Sequence, residues 1–222
     1  SFPTRRSSDL AALLVGLPQS PTAYDPTTNT IRVYNNIQVE VRYNDYDKAA
    51  AENEFARTAS IYFKGIYSTM FNWRDGVYDE HPDPWNAPVR MLVIANRMFE
   101  DVMQEWINWK TTKGFYMDVN YTDQIGSSAA AIRSFIQERY AATAPTFIII
   151  FGDSNQVPAS YTGSATSCVA DLRYMSVDND YYPEMLHSRM CAENVEQMSN
   201  ILYKTLLYDK YEFPDPTYLD NV

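Results

Sequence analysis

The chain has 222 residues, 45% of them hydrophobic, 14% aromatic and 21% charged, a globular balance long enough for one large domain, or for one domain and part of another. Its 18 basic and 28 acidic residues give a formal charge of −10, which argues against a nucleic-acid partner, and no apolar run is long enough to cross a bilayer as a helix. Only Cys168 and Cys191 are present. They could pair, but two cysteines make no disulfide framework and their spacing fits no metal motif, so two partly buried free thiols are the expectation.

Ser1 to Leu10, SFPTRRSSDL, read as the forward translation of a sequencing-adapter oligonucleotide and are set aside from the fold. At the other end the chain stops at Val222 just after a new element begins, so both ends read as cuts in a longer protein. NTIRVYNNIQVEVRY alternates apolar and polar residues at Ile31, Val33, Ile37, Val39, Val41 and Tyr43. That predicts a hairpin turning at Asn35-Asn36, or one continuous strand. NEFARTASIYFKGIYSTMFNW follows, with helical spacing at Phe55, Ala59, Tyr62, Phe63 and Ile66. Residues 74–88, RDGVYDEHPDPWNAP, hold three prolines and four acidic residues without periodicity, and read as an exposed linker or domain boundary.

Beyond the linker the pattern becomes regular. Val89–Ala95 is a short strand of buried type, and Met98, Phe99, Val102, Met103, Trp106 and Ile107 share one face of a helix that Gly114 ends. Phe115–Tyr121 predicts a second strand. Ser127 or Ser128 then caps a helix that uses Ile132, Phe135, Ile136 and Tyr140. Thr146–Asp153, TFIIIFGD, is a wholly apolar third strand suited to the middle of a parallel sheet. Asn194, with Gln197 three residues on, caps a last helix whose inner face is Val195, Met198, Ile201, Leu202 and Leu206. This order predicts an α/β fold, a three-layer sandwich around a mainly parallel sheet with right-handed crossovers.

Ligands of open α/β sheets gather beyond the carboxyl ends of the strands, where Asp153 falls. One loop later VDNDYYPE packs Asp178, Asp180 and Glu184 into eight residues. Like charges this close repel, which a bound cation would reverse. Oxygen donors suit calcium or magnesium, and Pro183 biases Tyr182 toward an extended conformation that can leave its carbonyl as a further ligand. The spacing is not that of an EF-hand. On the residues alone, a solvated acidic turn and a receiver-like magnesium site stand beside calcium as readings.

NAPVRMLVIANRMFEDVMQEWINWKTTKGFYMDVNYTD, FIIIFGD, ADLRYMSVDNDYYPEM and YKTLLYDK together resemble the gingipain family of secreted bacterial cysteine peptidases, most closely its lysine-specific branch. The resemblance runs from Asp75 to Val222, and Leu17 to Trp73 is similar to the end of the family's prodomain. Beyond the adapter (1–10) it implies two parts: the carboxyl-terminal part of a β-rich prodomain (11–74) and a caspase-like first catalytic subdomain (75–222). It further implies a structural calcium held by the side chains of Asp153, Asp178, Asp180 and Glu184 and the carbonyl of Tyr182. Many relatives have glycine where this chain has Asn179, a residue that tolerates left-handed backbone.

The family's catalytic histidine and cysteine lie further along than Val222, so the resemblance assigns no catalytic role to His81, His187, Cys168 or Cys191. It implies a secreted or cell-surface endopeptidase zymogen, with protein or peptide substrates cut after lysine and its own prodomain as inhibitor. Arg74-Asp75 matches the family's site of prodomain release and lies in the linker, where a mobile backbone favours proteolysis. The alternative function is a non-catalytic α/β module that binds a cation at its sheet edge.

Overall fold

The apolar runs at Arg90–Ala95 (β3) and Phe147–Phe151 (β5) form the two inner strands of a four-stranded parallel sheet. The computed structural model describes residues 22–36, 47–68, 87–160, 170–178, 182–215 and 217. Tyr116–Tyr121 (β4) pairs with β3 on one side, Leu186–Met190 (β6) pairs with β5 on the other, and the order is β4-β3-β5-β6. Val93 lies opposite Val119 on one flank and Ile149 on the other, so the β-branched residues stack across the sheet. Strand β6 was not anticipated. Its sequence, LHSRM, carries three polar residues in five and shows neither an apolar run nor clean alternation, as an edge strand can.

Helices close both faces. Glu100–Thr112 (α3) and Val195–Lys210 (α7) cover one, burying Phe99, Met103, Trp106, Met198, Leu202 and Leu206 against Met91, Val93 and Phe151. Ala129–Thr143 (α5) and the single turn Leu172–Met175 (α6) cover the other, where Ile132, Ile136, Tyr174 and Met175 meet Leu92, Ile94, Ile148 and Ile150. Burying each large side chain of this kind contributes about 1.5–3 kcal/mol. The predicted caps hold: Ser128 accepts from the Ala131 N–H and Asn194 from the Gln197 N–H. Two inner-face assignments fail. Met98 lies in a 3-10 turn before α3 and Val195 at the first position of α7, and they are 43% and 40% exposed.

Upstream, Lys48–Thr58 (α1) starts at Asp47, whose carboxylate accepts from the Ala50 N–H, earlier than the apolar spacing placed it. It stops at Ala59, and Ser60 caps a 3-10 turn at Ile61–Phe63 that leads into Lys64–Tyr67 (α2). One predicted helix is therefore two, broken where Ser60 offers the backbone a competing hydrogen bond. Thr30–Val33 (β2) does form a hairpin, but with Thr22–Asp25 (β1) ahead of it. Asn29 takes the left-handed conformation at φ 50° in that turn and accepts a hydrogen bond from the Tyr24 hydroxyl. The arm expected at Ile37–Tyr43 lies outside the described residues. The remaining one-turn helix, Thr122–Ile125 (α4), links β4 to α5.

Candidate functional site

The chain leaves β3 toward β4 through α3 on one face, then returns through α5 on the other face to β5, beyond β3. The winding reverses between β3 and β5, so their carboxyl ends open the crevice where such sheets take ligands. Asn96 follows β3 there. Its amide Nδ2 donates to the Gln156 carbonyl at 3.1 Å, while its Oδ1 accepts from the Met98 N–H at 3.0 Å.

Gly152 follows β5 with φ 128°, a conformation open to glycine, and a Cβ there would meet the Gln156 Cβ at 2.7 Å. Asp153 comes next, half-buried. Its N–H donates to the Ala192 carbonyl, its carboxylate accepts from the Ser154 N–H at 2.7 Å, and its carbonyl accepts from the Gln156 and Val157 N–H groups.

Arg189 on β6 holds this edge together, and the sequence reading missed it. Its Nε and Nη2 donate to the two carboxylate oxygens of Asp171 at 2.6 and 2.7 Å. Its Nη1 donates to the carbonyls of Gly152 and Val157 at 2.8 and 2.9 Å. Burial of the guanidinium works against its charge, but the hydrogen bonds and charge of Asp171 outweigh that and hold its pKa above the ordinary arginine value. One side chain thus ties β6, the loop after β5 and the start of α6. A single arginine inside a short strand was the available signal, but its partner Asp171 lies 18 residues away in another element.

The two ends of the acidic stretch, Val177 and Glu184, are tied together. The carboxylate of Glu184 accepts from the Val177 N–H at 2.7 Å, and the Glu184 N–H donates to the Met175 carbonyl. Asp178 and Tyr182 are exposed, and Asp180 lies outside the described residues. These oxygen donors have the chemistry of a hard-cation site. Among the described residues, however, no three His, Cys, Asp or Glu side chains gather as a metal-binding group, so Asp153, Asp178 and Glu184 do not converge by themselves.

His187 and Cys191 are both exposed, and four residues of extended chain put them roughly 13 Å apart, too far for an imidazole to activate a thiol. The Cys191 thiol is free and exposed rather than partly buried. Cys168, His81, Arg74 and Asp75 lie outside the described residues, and no described helix is long and apolar enough to cross a membrane.

Comparison with known proteins matches residues 85–221 to the model of peptidase family C25. Lys-gingipain W83 of Porphyromonas gingivalis is 40% identical over 226 residues, covering 99% of this chain and 13% of the relative. Gingipain R1 of the same organism is 28% identical over 197 residues, covering 86% of this chain and 19% of the relative. A solved structure described only as that of a protease superposes with a TM-score of 0.55 at 42% identity, covering 63% of this chain and 32% of its own. The Arg-specific cysteine proteinase gingipain R superposes at 0.50 and 27% identity, covering 55% and 28%. The chain spans about 13% of the length of the Lys-gingipains it matches. The matched segment is the one that folds as the sandwich, with its winding reversal at Asn96 and Gly152-Asp153, and the chain belongs to peptidase family C25.

Proposed function

We propose that this chain is part of a secreted cysteine endopeptidase zymogen of the gingipain type, which cleaves protein or peptide substrates after basic residues, lysine first. The observation that carries this reading is the 40% identity to Lys-gingipain along the whole chain. The parallel sheet supplies the scaffold, and the thiolate–imidazole pair belongs to sequence other than His81, His187, Cys168 and Cys191. Residues 11–74 are the end of the prodomain and act as inhibitor, residues 75–222 begin the catalytic domain, and cleavage between Arg74 and Asp75 separates them. The test is to express the full-length protein and assay lysyl and arginyl amides. The expected result is cleavage after lysine that thiol alkylation abolishes, from a mature chain starting at Asp75. Alkylation-resistant cleavage, or none, overturns the reading. A mature chain that starts elsewhere rules out Arg74 alone.

Calcium is part of the same proposal, with Asp153, Asp178, Asp180, Glu184 and the Tyr182 carbonyl as ligands and loop stabilisation as its role. Its support is the all-oxygen donor set and a loop that Glu184 already closes beside the sheet. Binding to the native state alone raises stability by mass action, by about 2.7 kcal/mol at a hundredfold excess over Kd, and with it the melting midpoint. Melts with calcium and with chelator should therefore separate. Coincident midpoints, with no calcium found by elemental analysis, overturn the site.

A further inference from the structure

The opposite end of the sheet, at the amino ends of its strands, is covered by chain that precedes the family-matched region. Tyr62 stands edge-on to the Phe147 ring at 4.8 Å, with an interplanar angle of 78°, and meets the Phe115 ring at 5.9 Å. Phe115 and Phe147 are themselves an edge-to-face pair at 5.9 Å. Phe115 precedes β4 and Phe147 opens β5, so Tyr62 completes a three-ring cluster at the amino edge.

Five residues earlier, at the end of α1, Arg57 makes a polar joint with the same surface. Its Nη1 donates to the Tyr140 carbonyl in the last turn of α5 at 2.7 Å, and its guanidinium lies 5.2 Å from the centroid of the Tyr140 ring. Glu54 on α1 holds the rest of the guanidinium through Nε and Nη2. The Arg57 charge thus meets carbonyl oxygen at a helix carboxyl terminus, where cations are favoured. Beside the joint lies a cavity of about 300 Å³ lined by Arg57, Ser60, Ile61, Arg90 and Thr146, among others.

We propose that Lys48–Tyr67 is an anchor that binds the amino edge of the sheet, and that the Phe115–Phe147 pair with the carboxyl end of α5 is its docking surface. The named contacts join Arg57 and Tyr62 to Phe115, Tyr140 and Phe147, and a cut between residues 68 and 87 leaves all of them in place. The surface suits a partner that presents one ring and one guanidinium on a short helical segment, which is what α1 and its 3-10 turn supply. The crevice at Asn96 and Asp153 lies at the other end of the strands, so this anchor retains the upstream segment without entering the site. It rests on the processing reading only for when the chain is cut.

To test it, the recognition sequence of an unrelated protease is inserted between Trp73 and Arg74 of the full chain, the purified protein is cut, and the pieces are run on size exclusion. The expected result is co-elution for the unaltered contacts and for Tyr62→Phe, and separation for Arg57→Ala/Tyr62→Ala, with retention weakened about tenfold or more by the lost charged hydrogen bond and ring contact. Circular dichroism before cutting checks that the double variant is folded. Should it not fold, Tyr62→Leu alone carries the test. Separation of the unaltered pieces, or equal retention by the variant, overturns the anchor. Because the cut is introduced, the result is independent of whether Arg74-Asp75 is the natural site, which amino-terminal sequencing of the mature protein reports separately.

Discussion

The two ends of the sheet are each secured by an arginine, and the arginines do different work. At the carboxyl edge Arg189 is 10% exposed and divides its donors between Asp171 and two loop carbonyls of the same domain. At the amino edge Arg57 is 31% exposed, pairs with Glu54 in its own helix and meets the sheet domain at the carbonyl and ring of Tyr140. A desolvated pair is integral to the fold, because removing one member strands the other, whereas a partly solvated pair can be lost at small cost. The comparison separates a permanent joint from a detachable one.

Arg189→Ala tests the permanent joint most severely. It strands Asp171 and leaves the Gly152 and Val157 carbonyls without their donor, and should lower stability by about 3–5 kcal/mol in chemical denaturation. A loss below about 1 kcal/mol would mean that water replaces the guanidinium and that the two edges are alike. Gly152→Ala comes next, at about 1–3 kcal/mol, because it forces a side chain into a positive-φ position against the Gln156 Cβ. A neutral result would show that the loop after β5 has slack. Arg57→Ala in the uncut chain should cost about 1 kcal/mol, the ordinary worth of a part-solvated hydrogen bond. A cost as large as that of Arg189→Ala would erase the distinction.

The smallest effect concerns the ion pair between Lys110 and Asp209, which joins the carboxyl ends of α3 and α7 on the amino-edge side. Burial of Asp209 opposes its ionisation, but the hydrogen bond and charge of Lys110, helped by Lys113, outweigh it and hold the carboxyl below its usual range. A depressed carboxylate contributes stability that is present above its unfolded pKa of about 3.9 and is lost as pH falls through the folded value. Asp209→Asn should therefore lower stability at neutral pH and flatten its fall below about pH 4. An unchanged acid limb would place the acid sensitivity elsewhere.

What could be read in advance followed from how strongly burial shapes sequence. The strands β3 and β5, sealed between two helical layers, are apolar runs, and α3, α5 and α7 show their inner faces at helical spacing, with Ser128 and Asn194 marking their starts. Strand β6 escaped because His187 and Ser188 face solvent and the largely buried Arg189 is satisfied by Asp171 and two loop carbonyls, so three of its five residues carry no apolar signal. The break between α1 and α2 escaped because apolar spacing runs on through Ala59 and Ser60, while a local cap at Ser60 decides the backbone. At the site, Asp153 was legible from its place after an apolar strand. The clamp that orients its loop joins residues 18 to 37 positions apart, and only the folded chain brings them together.

The all-parallel sheet also sets how fast the molecule can fold. In the upstream hairpin Asp25 lies opposite Thr30, five positions on, a closure that takes about 1–10 μs. In the sheet Met91 lies opposite Phe147, 56 positions on, and parallel strands can be joined only through a crossover of a dozen residues or more. Contacts this distant in sequence are slow to close, and domains built from them fold far more slowly than hairpins do. Until β3 and β5 meet, their apolar runs are exposed, and that interval is when the chain is most open to aggregation.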